Sequence, residues 1–186
     1  MSTFTADMDP KELIERAKKG DERAFAVLYE HYATPLYRYI YFRVGRKEEA
    51  EDLLQTVFLK AYRSLPKFRD LGKNPLTFFY TVARNSIIDY QRKNKEIFLE
   101  NFEELAQRLP DEGPDTTDLI ADRTDSARIR EAIQKISPDQ RDVVILRFMN
   151  DLSTGEISQL IGKTEESVRQ LQSRGLKALR HELQRR

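Results

Sequence analysis

The first residues that could do chemistry lie near the end of the chain. Glu166, Gln170, Ser173, Arg174, Lys177 and Arg180 recur at steps of three and four. At about 100° per residue they share one side of a helix, with Arg169 on its flank. Val168, Leu171, Gly175, Leu176, Leu179 and Leu183 take the other side. Amide, hydroxyl and guanidinium groups in one row suit the base edges and phosphates of a DNA major groove. Lys177, Arg180, Arg185 and Arg186 suit phosphates further along. An ordinary helical hairpin with a solvated face carries the same residue types, and spacing alone leaves that reading open.

Two further sets occupy the first half. Asp52, Gln55, Thr56 and Lys60 line one polar side beside an apolar stripe, a pattern that plain solvation also explains. Asn85, Asp89, Arg92 and Lys93 share a side with Arg84 and Ile88, after Phe68-Arg69 and the run Phe78-Phe79-Tyr80. Basic and amide groups among aromatics suit unpaired bases, which stack on rings. The alternative is that the aromatics are core, and the apolar period favours this for Phe79.

Other chemistries lack their residues. The chain has no cysteine, which removes disulfides, cysteine-ligated zinc and thiol catalysis. Its two histidines, His31 and His181, are far apart. No glycine-rich run ends in Gly-Lys-Ser or Gly-Lys-Thr, and no nucleophile–base pair is visible. The expectation is no catalytic residue, no metal and no cofactor.

The elements that must position these residues read as helices. Asp9-Pro10 opens the first, with Glu12 placed to close a capping box and Gly20 ending it. Asp21 caps a second, with Ala24, Phe25, Leu28, Tyr29 and Tyr32 inward. A third is expected after Pro35, ending at Gly45. Lys47–Leu65 is the clearest, with Ala50, Leu53, Leu54, Val57, Phe58, Ala61, Tyr62 and Leu65 in one stripe. Asn74-Pro75 starts another that runs to about Asn94, with Leu76, Phe79, Ala83, Ile87 and Tyr90 inward. Pro110, Gly113 and Pro114 punctuate an acidic stretch, although Ile97, Phe98, Leu99, Phe102 and Leu105 within it could form an amphipathic turn. Periodicity returns near Ala127, through Ile129, Ile133 and Ile136. Ser137 with Gln140, and Ser153 with Glu156, are expected capping boxes. Val144, Ile145 and Phe148 mark the face of the helix between them. Gly162 then gives a tight turn before Thr164 caps the last helix, a helix-turn-helix spacing.

A length of 186 residues suits one or two small domains. The fold class is therefore all-α. Two small helical domains, residues 1–94 and 127–186, would be joined by an acidic flexible linker, 95–126. The net charge of +1 averages over segments of +4, −7 and +4 in that order. Two basic blocks around an acidic strip suggest polyanion contact by the blocks. No apolar run approaches the ~20 residues that span a bilayer. Met1–Pro10 lacks a signal segment, so a cytoplasmic protein without membrane insertion is expected.

These residues resemble a family. The string from Glu48 through Ala50, Asp52, Leu53, Gln55, Thr56, Val57 and Phe58 to Tyr62 looks like the polymerase-binding helix of a bacterial sigma factor. Val82-Ala83-Arg84-Asn85-Ser86-Ile87-Ile88-Asp89-Tyr90-Gln91-Arg92 resembles that family's promoter-melting helix, and Leu152–Leu179 its helix-turn-helix. Order, spacing, acidic linker and short length match the extracytoplasmic-function (ECF) group of the sigma-70 family over about residues 10–183.

The resemblance implies an alternative sigma factor that binds core RNA polymerase and directs transcription initiation. The first domain would dock on the clamp helices of the β′ subunit through Asp52, Gln55 and Phe58, with the β subunit a further contact. Phe68, Arg84, Asn85, Asp89 and Arg92 would capture the melted −10 element. Thr164, Glu166, Ser167, Arg169, Gln170, Ser173, Arg174 and Lys177 would read the −35 element as duplex. The linker would run toward the RNA exit path, its charge imitating RNA. An anti-sigma factor would hold the protein inactive, and the free form would be a monomer. The chain departs from the family pattern at three places. Thr56 stands where an acidic residue is frequent. Leu171 stands where a basic one is common. No Trp occurs in the melting helix, so Phe78 or Phe79 must serve. Two competing readings remain, a dimeric operator-binding regulator and a helical adaptor that binds only proteins.

Overall fold

The computed structural model describes residues 9–68, 75–100 and 122–185; for 95–100 and 122–126 it gives the backbone alone. All regular structure among them is helical. The elements are α1 (Pro10–Lys18), α2 (Glu22–Val44), α3 (Lys47–Ser64) with a 3-10 turn (Leu65–Lys67), and α4 (Pro75–Glu100). After them come α5 (Asp122–Lys135), α6 (Pro138–Phe148), α7 (Thr154–Ile161) and α8 (Glu165–Gln184).

Local chemistry sets most boundaries. The Asp9 carboxylate accepts from the Lys11 amide at 3.0 Å and starts α1. Asp21 accepts from the amides of Arg23 and Ala24 at 3.0 and 3.1 Å. The Arg16 guanidinium, 2.7 Å away, and these amides hold its carboxyl below the usual value. Gly45 ends α2 at φ +85°, where a side chain would be strained.

Pro35 does not break the chain as the sequence suggests. It lies inside α2, a single helix of 23 residues. An internal proline costs a helix ~3 kcal/mol. Tyr32, Leu36, Tyr39 and Ile40 flank it and are all buried. Each such side chain is worth about 1.5–3 kcal/mol, so tertiary burial outweighs the break. The Pro35 carbonyl also accepts from Asn150 Nδ2 at 2.9 Å, which ties α2 to the chain after α6.

The first core lies between α2, α3 and α4. Leu28, Leu36, Val57, Ala61, Phe79, Ala83 and Ile87 are fully buried in it. Phe58 joins them at 4 % exposure, its ring 4.4 Å from Tyr29 and 5.7 Å from Phe79. Ile133, Val143, Ile145, Leu146, Ile157, Leu160 and Val168 of α5 to α8 continue this core into the second unit.

Helix α6 departs furthest from its pattern. Arg141 to Leu146 are all buried, while Phe148, expected inward, is 50 % exposed. The cause is packing on two sides: α7 and α8 cover one face and α2 the other. Ser137 caps α6 without the expected box, since its side chain makes no capping bond; Pro138 at the first helical position suffices. The Ser153 box does form: Ser153 Oγ accepts from the Glu156 amide at 3.2 Å, and Glu156 Oε2 from the Ser153 amide at 2.9 Å. Leu176, also expected inward, is 39 % exposed.

Helix runs into both ends of the segment read as linker, since α4 reaches Glu100 and α5 starts at Asp122. Ile97, Phe98 and Leu99 continue the α4 backbone. Phe102, Leu105 and the breakers Pro110, Gly113 and Pro114 fall outside the described residues. The two helical units pack against each other, α2 on α5 and α6, and α4 on α7.

Candidate nucleic-acid interface

The outer face of α8 is built by the turn before it. Gly162 at φ +67° ends α7, and the Thr164 hydroxyl accepts from the Ser167 amide at 3.2 Å to start α8. The Thr164 and Ser167 hydroxyls also bond each other at 2.9 Å. Val168 and Gly175 seat α8 on the body of the unit. An added Cβ at Gly175 would lie 2.9 Å from Val144 Cγ2, so the two helices cross almost in contact.

That seating turns Gln170, Ser173, Arg174, Lys177 and Arg180 to solvent together. Arg169 is held differently. Its guanidinium lies 3.2 Å from Glu165 and 3.4 Å from Glu166, and Glu166 also accepts from Gln170 Nε2 at 3.4 Å. The first turn is therefore charge-balanced. The positive field begins at Arg174 and Lys177, which make no ion pair among the described residues. A nucleic acid docked here meets amides and hydroxyls first and cations one to two turns later.

On α4, Asn85, Ile88, Asp89 and Arg92 are exposed on one side. Asp89 pairs with Lys60 of α3 at 3.6 Å and with Arg92 at 3.7 Å, both in solvent and therefore weak. The Phe68 and Phe78 rings meet at a 45° tilt with centroids 4.5 Å apart and stay partly exposed, whereas Phe79 and Tyr80 are fully buried. Of the two rings expected to substitute for a Trp, only Phe78 is near the surface. Arg84, expected in the DNA-binding set, is half-buried, and its Nε lies 3.3 Å from Asp142 of α6. Arg69 lies outside the described residues.

On α3, Asp52 and Gln55 are exposed, with Thr56 beside them. Phe58 corrects the expected polymerase-binding set, since its ring is buried in the first core and supports the helix from inside. The sequence reading missed Leu59, which is 59 % exposed. Seven residues after Asp52, it falls within about 20° of it around the helix. That spacing was the available signal. Asp52, Gln55, Thr56 and Leu59 form one ridge with an apolar centre.

The sequence also missed a buried cluster between the units. Asp142, 2 % exposed, accepts from the Tyr39 hydroxyl at 2.8 Å and lies 3.0 Å from Arg43 Nε and 3.3 Å from Arg84 Nε. Desolvation, then the Asp142 charge, push the Tyr39 hydroxyl well above its ordinary value. Nearby, Gln134 Nε2 donates to the Phe42 carbonyl at 2.8 Å, and Arg141 Nη1 to the Arg43 carbonyl at 3.3 Å. These carbonyls end α2 and have no helical partner, so the second unit caps the first. Burial lowers the Arg141 guanidinium to about 10. No sequence signal marks these contacts, because Tyr39 and Asp142 are 103 residues apart.

No described residues form a cluster of three metal-ligand types. No described helix is long and apolar enough to cross a membrane.

Comparisons with known proteins agree with this layout. Residues 28–97 match the family model described as sigma-70 region 2, and residues 132–181 match sigma-70 region 4. The chain is 34 % identical over 169 residues to the ECF RNA polymerase sigma factor BldN of Streptomyces coelicolor, covering 90 % of this chain and 63 % of BldN. It is 29 % identical to SigW of Bacillus subtilis, covering 95 % of this chain and 98 % of SigW. With SigX of Bacillus subtilis it shares 31 % identity, covering 88 % of this chain and 85 % of SigX. Both are ECF RNA polymerase sigma factors. Among solved structures, CnrH in complex with the cytosolic domain of CnrY matches with a TM-score of 0.71 at 19 % identity, over 93 % of this chain and 96 % of that one. The sigma factor RpoE of Bartonella quintana, solved with the anti-sigma factor NepR, matches with a TM-score of 0.73 at 20 % identity, over 87 % and 97 %. These two likenesses concern the fold.

Proposed function

The chain belongs to the ECF group of the sigma-70 family of RNA polymerase sigma factors, and from that premise we propose that it directs core RNA polymerase to a distinct set of promoters. The observation that carries this reading is the exposed row Gln170, Ser173, Arg174 and Lys177 on a doubly capped helix-turn-helix, following a separate unit whose α3 ridge faces solvent.

In this reading α8 enters the major groove of the −35 element as duplex. Asn85 and the Phe68–Phe78 pair receive an unstacked base of the −10 element, the use that unpaired bases favour. The ridge around Asp52 and Gln55 docks on the β′ clamp helices. The chain supplies specificity and strand capture, leaves nucleotide chemistry to the polymerase, and works in the cytoplasm. The acidic residues 95–126 join the two DNA-reading units. An anti-sigma factor holds the protein inactive, by analogy with the relatives.

Run-off transcription with purified core polymerase on a pooled promoter library tests this. Defined start sites that appear only with the protein are expected. No transcript and no binding to core would sink the reading.

Two substitutions separate the DNA contacts. Arg174→Ala is expected to lower −35-dependent output by the loss of one base or phosphate contact, about 1–3 kcal/mol. Transcription from promoters of varied −35 sequence measures it, and unchanged output means that another face of α8 meets DNA. Asn85→Ala is expected to slow open-complex formation while duplex −35 binding stays intact. Permanganate footprinting of the melted strand, paired with duplex mobility shifts, reads both. Equal loss of the two would point to folding damage.

A further inference from the structure

Arg169 differs from the cations that follow it on α8, because both of its terminal nitrogens are engaged. Nη2 lies 3.2 Å from Glu165 Oε2, and Nη1 lies 3.4 Å from Glu166 Oε2. Arg174 and Lys177 make no ion pair among the described residues. The carboxylates take one N–H of each terminal nitrogen of Arg169. The remaining donors suffice for a forked contact to guanine O6 and N7.

Glu165 is the more firmly seated of the two carboxylates. Thr154 Oγ1, in the first turn of α7, donates to its Oε2 at 3.5 Å. Its Oε1 lies over α7, 3.6 Å from where a Cβ on Gly155 would stand. The carboxylate thus sits in the first turn of α8 and against that of α7, where helix dipoles favour negative charge. Lys163, in the turn between them, is fixed to Asp139 of α6 at 3.1 Å. Glu166, by contrast, is shared with Gln170 Nε2 at 3.4 Å. Glu165 therefore ties both helices of the pair to one guanidinium.

An unrestrained arginine has two uses on DNA. It reaches a phosphate on any duplex, or it reads a base edge on a matching one. A carboxylate beside it opposes the first use by repelling the phosphate. It favours the second by fixing the fork before contact, which lowers the cost of ordering it. We propose that Glu165 is a positioning residue of the −35 reader, which aims Arg169 at one guanine and withholds it from the phosphate backbone. This role rests on the function proposed above. Glu165 touches no base and acts through Arg169. The pair is exposed, Glu165 at 50 % and Arg169 at 57 %, so the effect is a factor of a few.

The test uses the full chain, alone and in the holoenzyme. Glu165→Gln removes the charge at almost constant shape and keeps an acceptor for Thr154. Run-off transcription from promoters with each −35 base pair changed in turn reads discrimination. Glu165→Gln is expected to lower it at least about threefold at a single G·C pair and to spare the others. Arg169→Ala should lower it about tenfold at the same pair, and adding Glu165→Gln should change nothing more. Thr154→Val removes one bond to Glu165 and should act at that pair too, less strongly. A labelled random-sequence duplex, titrated across salt with the full chain, reads the second effect. The slope of log affinity against log salt should steepen by up to about 0.9 in Glu165→Gln, the signature of one added phosphate contact. Glu131→Gln, at an exposed position on α5, removes the same charge and should leave both readings unchanged.

Uniform loss at every −35 position, with a lowered thermal melt, would mean that Glu165 only supports the fold, and overturns the role. Unchanged discrimination with an unchanged slope overturns it as well, as does a loss that persists when Arg169 is already alanine. If the parent protein gives no promoter-specific transcript, the proposed function itself fails and this role goes with it. A parent that transcribes, with Glu165→Gln behaving as the parent does, sinks the positioning role alone.

Discussion

Gly175→Ala is expected to lower the melting temperature of the C-terminal unit by several degrees and to reduce −35-dependent transcription with it. Two effects oppose each other. Alanine improves helix propensity by ~1 kcal/mol over glycine. The new Cβ, however, would sit 2.9 Å from Val144 Cγ2 and 3.4 Å from the Gln140 carbonyl. Val144 is 2 % exposed and β-branched, so it cannot swing aside, and the carbonyl is backbone. Overpacking of this kind costs about 1–3 kcal/mol, so the clash wins. A loss of 1 kcal/mol shifts a unit of this size by roughly 4–8 °C. Relief comes with α8 moving off α6, which moves the row from Gln170 to Lys177 away from its register. Adding Val144→Ala should restore part of the stability, with a coupling of about 0.5–3 kcal/mol between the two sites. Differential scanning calorimetry of the four proteins in the cycle measures this. A neutral Gly175→Ala, or purely additive effects, would show that α8 and α6 are not in close contact at that point.

Glycine 175 also illustrates what the sequence could carry. The period of Val168, Leu171 and Gly175 marked it as inward, and it is buried. The same period placed Ala50, Leu53, Val57, Phe58 and Ala61 in the core of α3, and their burial agrees. Ser153 and Glu156 were legible because a capping box is local chemistry. The misses share the opposite character. Pro35 inside α2, the all-round burial of α6 and the outward Phe148 each depend on what a distant helix covers. Arg84 looked free because its helix has a polar side there, yet a carboxylate 58 residues later takes it. Leu176 was counted inward on angle alone, whereas α8 rests on α6 through its smaller residues and leaves that side chain at the edge. Local pattern thus located the candidate reading surfaces. The packing between units decided which of their side chains face outward.

Asp52→Ala with Gln55→Ala is expected to weaken binding of core polymerase about a hundredfold while leaving the melting curve in place. Both side chains project from α3 into solvent, so their removal leaves no cavity and no unpaired buried group. Surface changes away from such features stay within about 0.5 kcal/mol of stability. An interface residue that costs about 1.4 kcal/mol when truncated is worth a factor of about ten, and the two together give the factor stated. Leu59, the apolar centre of the ridge, should behave as a third member, and Leu59→Asp should weaken binding by at least tenfold, about 1.4 kcal/mol. Phe58→Ala supplies the contrast. Its ring is buried against Tyr29 and Phe79, so truncation should remove about 3–5 kcal/mol of stability and lower binding only through unfolding. Fluorescence polarisation against core polymerase, with a thermal melt of each variant, separates the two behaviours. If Asp52→Ala and Gln55→Ala bind as the parent does, the polymerase contacts the chain elsewhere. The next candidate would be the exposed aromatic edge of Tyr29 and Tyr62, which lies on the same unit.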